Sequence, residues 1–344
     1  MKDSERIDLN ENLLGICIPT YNRGNYLKAC LNSIIGQISK HNFPIYISDN
    51  NSNDNTETIV NNFKQLYSNM LFDKNDKNIG LSPNVIRAIS MAKTDYVWLI
   101  GDDDVIRERA VDKIIQYIIQ GYDYIILNSI PYDINLKVKK KSKSIRCGSD
   151  KRYPPGSQGE QLCDLKKGSY HGYISSMIFR RSLVTYLLSK YEDRQFPLHN
   201  NTWAPLSLFY EAIIGKNGIF VCEPLVYNRA NLRVSIGKNL LQFGLIERID
   251  AVAYLQSTGY SQQDIKTALR NNGFLFSFYE VLETRINSKF DETLEREITN
   301  NPFVQLRIKV MVTLLNKVNT KLLEIILMII SKLKEKNLKN LHEV

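Results

Sequence analysis

Short apolar segments alternate with amphipathic ones through the first 130 residues of the chain. Residues 13–19 form an apolar run that contains a proline at its end, which is typical of a buried strand. Residues 26–38 carry apolar side chains at spacings of three and four, as a helix with one buried face does. The pattern repeats, with strands expected at 43–48, 70–72, 96–100 and 122–128 and helices at 56–67, 81–91 and 110–119. This alternation predicts an α/β fold with a mainly parallel sheet flanked by helices.

The second half of the chain is patterned less regularly. Residues 137–167 are rich in Lys, Ser, Gly and Pro, and a stretch of that length without periodicity is usually functional or mobile. Regular patterns resume with a strand at 173–179, helices at 183–190 and 202–214 and a strand at 218–222. Beyond Gly237 the chain is mostly helical. We therefore expect an α/β domain over residues 1–236 and a helical C-terminal region over 237–344.

The cysteines and the first residues of the chain indicate in which cellular compartment the protein is expected. The five cysteines are scattered and never spaced Cys-x-x-Cys, which argues against a disulfide scaffold and a structural zinc site and suits a reducing cytosol. Residues 1–12 contain no apolar signal-peptide core, and no run of about 18 uncharged apolar residues occurs. The chain is therefore expected to be cytoplasmic and without a membrane-spanning helix.

Positive charge is concentrated in two segments of a chain whose net charge is +9. Residues 301–344 carry eight Lys and Arg against three Glu, and residues 137–146 form a second basic run. Neither segment is interleaved with aromatic residues for base stacking, and no zinc-finger or RNA-recognition pattern occurs. We therefore expect no nucleic-acid partner, and we interpret the second run as a solvated loop.

The residues that follow the predicted strands are the strongest candidates for a binding site. Neither Gly-x-Gly-x-x-Gly nor Gly-x-x-x-x-Gly-Lys-Ser/Thr occurs, yet an open parallel sheet binds ligands beyond the carboxyl ends of its strands. The residues at these ends are Thr20, Tyr21, Asn22 and Arg23, then Asp49 and Asn51, then Asp102, Asp103 and Asp104. An aromatic ring, a cation and carboxylates suit a nucleotide base and a metal-bound diphosphate.

The run of three aspartates after Gly101 is the most specific of these signals. Adjacent carboxylates repel one another unless a cation compensates. Mg²⁺ and Mn²⁺ typically combine one or two carboxylates with substrate phosphates, and alternation along an extended segment points Asp102 and Asp104 the same way. The alternative is an acidic turn that caps the following helix.

Four ordered motifs resemble a known protein family. They are Ile16-Cys-Ile-Pro-Thr-Tyr-Asn-Arg23, Ile47-Ser-Asp-Asn-Asn-Ser-Asn-Asp-Asn-Thr56, Asn78-Ile-Gly-Leu-Ser-Pro-Asn84 and Tyr96-Val-Trp-Leu-Ile-Gly-Asp-Asp-Asp104. Their order and spacing resemble family 2 glycosyltransferases of the GT-A fold, especially the abequosyltransferase-like bacterial branch that decorates surface polysaccharide. The resemblance is strong over residues 13–130, weaker over 170–236 and absent from 237 onward.

The resemblance implies a nucleoside-diphosphate-sugar donor and Mn²⁺ or Mg²⁺ as cofactor. By this resemblance Thr20 and Tyr21 would line the base, and Asp49 would accept a hydrogen bond from the N–H edge of the base. Asn78 would flank the nucleotide, with Gly80 letting the backbone approach. The alternatives are a packed rim residue for Tyr21 and a turn cap for Asn78.

The aspartate run resembles the Asp-x-Asp motif of the family. Asp102 would face the ribose or the metal, and Asp104 is the first choice as metal ligand. The other members of the predicted donor-binding group in this region are Asn22, Arg23 and Asp103. Arg23 as a simple helix-start residue is the alternative. The family commonly begins the motif with Asp where this chain has Gly101.

The catalytic base is harder to place from the sequence. Attack by an acceptor hydroxyl on the anomeric carbon needs a base within hydrogen-bond reach. The family usually supplies an acidic pair at the start of a helix in its second half, but residues 199–206 contain no carboxylate. The nearest candidates are Glu192, Asp193, His199 and Glu211. Of these we predict Asp193 and His199.

Two arginines and the family resemblance complete the functional hypothesis. Arg229 and Arg233 are candidates for neutralising the departing diphosphate, because guanidinium groups bind phosphate through paired hydrogen bonds. We predict Arg233 as the donor-binding one. The chain is interpreted as a metal-dependent, inverting glycosyltransferase that acts on a glycan or lipid-linked glycan acceptor in lipopolysaccharide or capsule synthesis. The alternatives are an idle sugar-nucleotide-binding or scaffold protein and a basic nucleic-acid-binding protein.

A heptad-like apolar stripe runs through the C-terminal region. Its members are Val304, Ile308, Met311, Leu315, Val318, Leu322, Ile325 and Ile329. Lysines crowd the residues after it. Three interpretations are open: an amphipathic helix on the anionic inner face of a membrane, an oligomerisation seam, and a helix packed on the protein's own catalytic domain.

Overall fold

The computed structural model describes residues 10–133, 147–164, 173–192, 196–229, 242–271 and 292–302, with 304, 306–317, 321–323, 325 and 328. The chain groups into two compact units, one of residues 1–234 and 254–272 and the other of residues 235–253 and 273–344. Asp193, Arg233 and the basic run 137–146, which the sequence analysis singled out, lie outside the described residues.

The described strands all belong to one sheet in the first unit. They are β1 (Leu14–Thr20), β2 (Ile45–Asp49), β3 (Met70–Lys74), β4 (Tyr96–Leu99), β5 (Val105–Ile106), β6 (Tyr124–Tyr132), β7 (Lys151–Tyr153), β8 (Met177–Arg180) and β9 (Gly218–Arg229). The described α-helices are α1 (Gly24–Ile38), α2 (Thr56–Leu66), α3 (Leu81–Met91), α4 (Ala110–Ile119), α5 (Gln158–Cys163), α6 (Arg181–Glu192), α7 (Ala204–Ala212), α8 (Glu247–Tyr254), α9 (Gln262–Asn271), α10 (Glu292–Asn300) and α11 (Leu306–Asn316).

The sheet has the order β3-β2-β1-β4-β8-β6-β9-β5, with β7 also paired to β9. Strands β1 to β4 pair in parallel, and β8 lies antiparallel between β4 and β6. Strands β5 and β7 run antiparallel to β9, which is itself parallel to β6. The predicted α/β architecture is confirmed, and the sheet is mixed beyond β4.

The first βα unit shows why the sequence adopts this fold. Every residue of β1 is buried, as expected for a central parallel strand whose sheet is covered by helices. Helix α1 buries Leu27, Leu31 and Ile34, which share one face at spacings of three and four. Burying each such side chain contributes about 1.5–3 kcal/mol. This packing fixes where β1 ends, and so where the residues after it are placed.

Two regular elements lie within the segment that the sequence analysis read as an irregular excursion, residues 137–167. Strand β7 pairs with β9, and α5 packs against α9. Within α5, Gln161 accepts a hydrogen bond from the Tyr124 hydroxyl (2.7 Å). Elements of three and six residues carry too little periodicity to be recognised, because their stability comes from distant partners.

A disulfide joins Cys147 to Cys222, whose Cα atoms lie 5.8 Å apart. The scattered positions and odd number of the cysteines argue against a disulfide scaffold, and they do not predict this single bond. Spacing along the sequence did not reveal this pair, because the two residues are 75 positions apart and meet only when β9 pairs with the strand that follows Cys147.

The second unit contains α10 and α11, which pack together. The Lys309 ammonium donates to the carbonyl of Thr299 (2.7 Å). Within the predicted stripe, Val304 and Leu315 are buried, whereas Leu322 and Ile325 are half exposed. Among the residues that the structure describes, no helix has the length and apolar character needed to cross a bilayer.

Candidate active site at the carboxyl ends of the parallel strands

The carboxyl ends of β1, β2 and β4 lie side by side at one edge of the sheet. Thr20, the last residue of β1, is in register with Asp49, the last residue of β2. The N–H of Ile100, just past β4, donates to the carbonyl of Cys17 in β1 (2.9 Å). Parallel strands end at the same edge, so this edge gathers the predicted strand-end side chains.

A charged cluster forms where β1 and β4 end. The Thr20 hydroxyl donates to Asp102 Oδ2 (2.8 Å). Arg23 Nη1 lies 3.1 Å from Asp102 Oδ1 and 3.0 Å from Asp103 Oδ2. Burial raises the pKa of Asp102 to about 6, against the opposing effect of Arg23. Burial lowers the pKa of Arg23, but Asp102 and Asp103 outweigh it and raise the pKa above its ordinary value. Arg23 is therefore the resident counter-ion of these carboxylates.

Asp104 lies in different surroundings from Asp102, although the sequence analysis paired them as metal ligands. Its Oδ2 accepts a hydrogen bond from the Ser175 hydroxyl (2.5 Å), and the residue is 2 % exposed. Burial raises the pKa of Asp104 well above its ordinary value, and the charge of Asp103 adds to this. The carboxylates of Asp102 and Asp103 both contact Nη1 of Arg23.

The donor set at this point fits a divalent cation that arrives with a diphosphate. Among the described residues, no three acidic, His or Cys side chains form a group that could hold a metal by itself. Two carboxylates nevertheless converge on a single guanidinium nitrogen of Arg23. Mg²⁺ and Mn²⁺ commonly bind one or two carboxylates together with substrate phosphates, so phosphate oxygens would complete the coordination.

Asp49 carries a buried carboxylate oxygen that is not satisfied. Its Oδ1 accepts hydrogen bonds from the backbone N–H (3.1 Å) and the hydroxyl (2.5 Å) of Ser52. Its Oδ2 is buried and has no hydrogen-bond partner among the described residues. Burial raises the pKa of Asp49, against the hydrogen bonds from Ser52. Because buried acceptors are normally paired, Oδ2 is suited to receive an N–H donor from a ligand.

The loops beside Asp49 are shaped by asparagines. Asn22 and Asn51 have left-handed backbone conformations, with φ of 52° and 64°, which asparagine tolerates better than most residues. Asn22 Oδ1 accepts from the N–H of Asn53 (2.7 Å). Asn22 is therefore used to join two loops, whereas the ring of Tyr21 is 38 % exposed at the rim.

A network of buried asparagines supports the same edge, and the sequence analysis did not predict it. Asn84 Nδ2 donates to the carbonyls of Thr20 and Ser48, and its Oδ1 accepts from the Ser48 hydroxyl (2.7 Å) and from Asn75 (3.1 Å). Asn50 Nδ2 in turn donates to Asn78 Oδ1 (2.8 Å). Asn78, predicted to flank the nucleotide, is thus also held by its neighbours. The available signal was a set of polar residues at strand ends and in the first turn of α3.

The predicted base His199 lies in a segment that is anchored to this edge. Its ring stacks on Tyr191 with centroids 4.9 Å apart, and its carbonyl accepts from the Tyr191 hydroxyl (3.0 Å). The Ser82 hydroxyl at the start of α3 lies within hydrogen-bond distance of the carbonyls of Asn201 and Thr202.

The other candidates for the base have different surroundings. Glu211 is engaged by Lys190 (2.7 Å) and by the Tyr254 hydroxyl (2.9 Å). Glu192 is exposed at the end of α6.

Arg229, at the end of β9, also reaches the aspartate run. Its Nε donates to the carbonyl of Asp103 (2.7 Å), and its guanidinium lies over the ring of Tyr26, 5.0 Å from the centroid. Arg229 therefore supports the backbone of the run.

Comparison with known proteins decides the family. The family model described as glycosyl transferase family 2 matches residues 15–187, about half of the chain. The chain belongs to glycosyltransferase family 2. The matched residues contain β1 to β4, the aspartate run and Ser175, so the family assignment covers the edge described above, and the resemblance found in the sequence is confirmed.

Relatives and solved structures agree with this assignment. The chain is 29 % identical over 177 residues to the abequosyltransferase RfbV of Salmonella typhimurium. The matched residues cover 49 % of this chain and 53 % of RfbV. The chain thus spans about half the length of this relative. Staphylococcus aureus TarS 1–349 in complex with UDP-GlcNAc matches with a TM-score of 0.60 and 15 % identity over 87 % of this chain and 84 % of that one. The predicted GT-A fold is confirmed.

A further solved structure is a mannosyltransferase of Pyrobaculum calidifontis, PcManGT, in complex with GDP-Man and Mn²⁺. It matches with a TM-score of 0.50 and 11 % identity over 89 % of this chain and 86 % of that one.

Proposed function

We propose that this protein transfers a sugar from a nucleoside-diphosphate sugar to a glycan acceptor in bacterial surface polysaccharide. The observation that carries the proposal is the unpartnered Oδ2 of Asp49 on the same sheet edge as the carboxylates of Asp102 and Asp103. Such a donor requires two parts in its binding site. One is an acceptor for the N–H groups of the base, and the other is a pair of carboxylates that binds the cation held by the diphosphate. The RfbV relative, an abequosyltransferase, supports the substrate class.

The donor-binding roles follow from this geometry. Asp49 accepts from the base, and Tyr21 offers its exposed ring to the face of the base. Thr20 holds Asp102 in place by the hydrogen bond to Oδ2. Arg23 releases the carboxylates when the donor binds and turns its guanidinium towards the diphosphate, for which its paired donors are suited.

A divalent cation, Mn²⁺ or Mg²⁺, is part of the proposal. Asp102 and Asp103 would hold it, because their oxygens already converge on Arg23 Nη1. Asp104 as a ligand stays a prediction, and it requires release of Ser175. When bound, the metal supplies Lewis-acid stabilisation of the leaving diphosphate. The Mn²⁺ in the structure of PcManGT supports this choice.

The acceptor side of the proposal rests on His199. His199 serves as general base and takes the proton of the acceptor hydroxyl. The hydroxyl oxygen attacks the anomeric carbon from the face opposite the diphosphate, the bond between that carbon and the diphosphate oxygen breaks, and the nucleoside diphosphate leaves with inversion at the carbon. The contact of the Ser82 hydroxyl in α3 with the carbonyls of Asn201 and Thr202 connects this segment to the donor-binding edge. Asp193 and Arg233 stay predictions as base and diphosphate ligand.

The C-terminal region is proposed to contact an anionic membrane surface from the cytoplasmic side, where a lipid-linked acceptor would lie. Val310 and Leu314 are exposed on α11, and Leu322, Ile325 and Met328 are exposed further along the chain. Lysines flank these positions in the sequence, and apolar burial and lysine attraction add at such surfaces. Self-association through the same side chains is the alternative.

Donor turnover tests the catalytic proposal. The full chain would be incubated with Mn²⁺ and a panel of UDP-, GDP-, CDP- and dTDP-sugars, and release of the nucleoside diphosphate would be measured with and without a glycan-lipid extract. We expect release from at least one donor and loss of it in His199→Ala. Binding of a donor without any release under these conditions would instead identify an idle sugar-nucleotide-binding protein.

A further inference from the structure

Ser175 contacts the loop that carries the aspartate run. It belongs to the one-turn helix Ile174–Ser176 that leads into β8, and it is fully buried. Its hydroxyl accepts a hydrogen bond from the N–H of Gly101 (2.8 Å) and donates to Asp104 Oδ2 (2.5 Å). Its carbonyl accepts from Trp98 Nε1 (3.0 Å). The residue is thus held by β4 on one side and holds the loop after β4 on the other.

One hydroxyl oxygen therefore bridges both ends of a four-residue segment. A serine hydroxyl has a single proton. Here the hydroxyl donates that proton to Asp104, and a lone pair on its oxygen accepts the N–H of Gly101. The turn is closed independently by the N–H of Asp104, which donates to the carbonyl of Gly101 (3.1 Å). Because Ser175, Gly101 and Asp104 are buried, water cannot replace these hydrogen bonds.

The glycine at position 101 fits the same arrangement. A Cβ atom built at Gly101 would lie 3.0 Å from Asp104 Oδ2, 3.1 Å from Asp103 Oδ1 and 3.4 Å from Ser175 Oγ. The carboxylates therefore occupy the space that a side chain at 101 would take. This chain has no acidic residue at position 101, and the Ser175 hydroxyl, from the one-turn helix before β8, lies beside that position instead.

We propose that Ser175 is a positioning residue for the metal–diphosphate site. By holding Asp104 inward it sets the turn from which Asp102 and Asp103 present converging oxygens to a cation. The inference rests on the proposed function, since it concerns the same site. Groups that orient metal-binding carboxylates typically change metal affinity ~10–100-fold when they are removed.

A matched pair of variants tests this role. Ser175→Ala removes the bridging hydroxyl. Ser176→Ala removes the neighbouring hydroxyl, which is equally buried but donates to the carbonyl of Tyr173 (2.7 Å). Ser175→Cys keeps the size of the side chain with a much weaker hydrogen-bonding group.

The measurement is calorimetric binding of UDP, GDP, CDP, ADP and dTDP to the full chain, each with Mn²⁺ and with EDTA. In Ser175→Ala we expect the Mn²⁺-dependent gain in affinity to fall ~10–100-fold, while binding in EDTA, which depends on Asp49, is kept. Ser176→Ala should retain both, and Ser175→Cys should fall between wild type and Ser175→Ala. A general packing defect would weaken binding in both buffers.

The outcomes separate the inference from the function on which it rests. An unchanged Mn²⁺-dependent gain in Ser175→Ala overturns the positioning role, and so does an equal loss in EDTA. If Ser175→Ala does not fold, wild-type Mn²⁺ dependence in Ser175→Cys overturns it instead. Failure of the wild type itself to bind any of the five nucleotides would overturn the proposed function, whatever the variants do.

Discussion

At the scale of single residues, the site combines groups that are costly to bury. Asp49 is fully buried with one oxygen bonded and the other without a partner among the described residues. Asp102 and Asp103 are partly compensated by Arg23. Perturbed, desolvated groups of this kind gather at functional sites because a ligand supplies the missing partner. The residues at the ends of β1, β2 and β4 therefore favour ligand binding rather than the stability of the free protein.

Replacing Asp49 tests this interpretation. Asp49→Ala should weaken nucleoside-diphosphate binding by about 1–3 kcal/mol, the usual cost of removing one partner of a buried hydrogen bond. Calorimetry measures the loss. The matched control is Asp73→Ala, which removes an aspartate of β3 that is paired to Arg87 at the surface. Equal affinities in Asp49→Ala and wild type would refute the role of Asp49.

Acidity should act on the same interaction. The pKa of Asp49 is raised by burial, so the carboxylate takes up a proton at a higher pH than an ordinary aspartate. Protonation removes one acceptor, and nucleotide affinity in EDTA should fall as the pH is lowered through this raised pKa. The residual affinity of Asp49→Ala should not show this step. A wild-type pH profile that matches the variant would contradict the account.

At the scale of elements, the parallel strands and their helices were predictable, but their lateral partners were not. Helix α3 was predicted at its observed bounds, because its apolar spacing is local. The pairing of β8 with β4 and the hydrogen bond between Ser175 and Asp104, which are 71 residues apart, are non-local contacts. The convergence of Asp102 and Asp103 on Arg23 depends in the same way on non-local packing, which periodicity does not encode.

The asparagine network should make one substitution at the start of α3 unusually damaging. Asn84→Ala removes the acceptor of the Ser48 hydroxyl and one of the two acceptors of the Asn75 amide, and a buried group left unpaired costs about 1–3 kcal/mol. Denaturant unfolding should show a corresponding fall in the free energy of unfolding. Asn62→Ala on the exposed side of α2 is the control, and an equal effect there would argue against the network.

At the scale of the whole molecule, the chain divides into two units, and the last residues of the second unit are basic. The sheet unit carries the donor-binding edge, and the C-terminal residues 301–344 carry eight basic against three acidic side chains. Exposed apolar residues on and after α11 give that region the two attractions, apolar and electrostatic, that a membrane surface requires.

Co-sedimentation with vesicles checks this surface. The full chain should bind vesicles that contain phosphatidylglycerol at low salt and should be released as the salt concentration rises, because screening weakens the lysine attraction. Val310→Ser with Leu314→Ser should weaken binding, while Leu66→Ser, an exposed leucine on α2, should not. Binding that fails at low salt would reject the membrane contact. An oligomer that dissociates in the α11 variant would favour self-association.

We expect the edge formed by β1, β2 and β4 to bind a nucleoside diphosphate together with a divalent cation. A thermal-shift series of UDP, GDP, CDP, ADP and dTDP, each with Mn²⁺ and with EDTA, tests it most directly. A ligand that binds only the native state stabilises it by about 2.7 kcal/mol at a concentration 100 times its Kd. We expect at least one diphosphate to raise the Tm, more strongly with Mn²⁺, and Asp49→Ala to reduce the shift. No shift with any of the five nucleotides, at millimolar ligand and with Mn²⁺, would contradict the account.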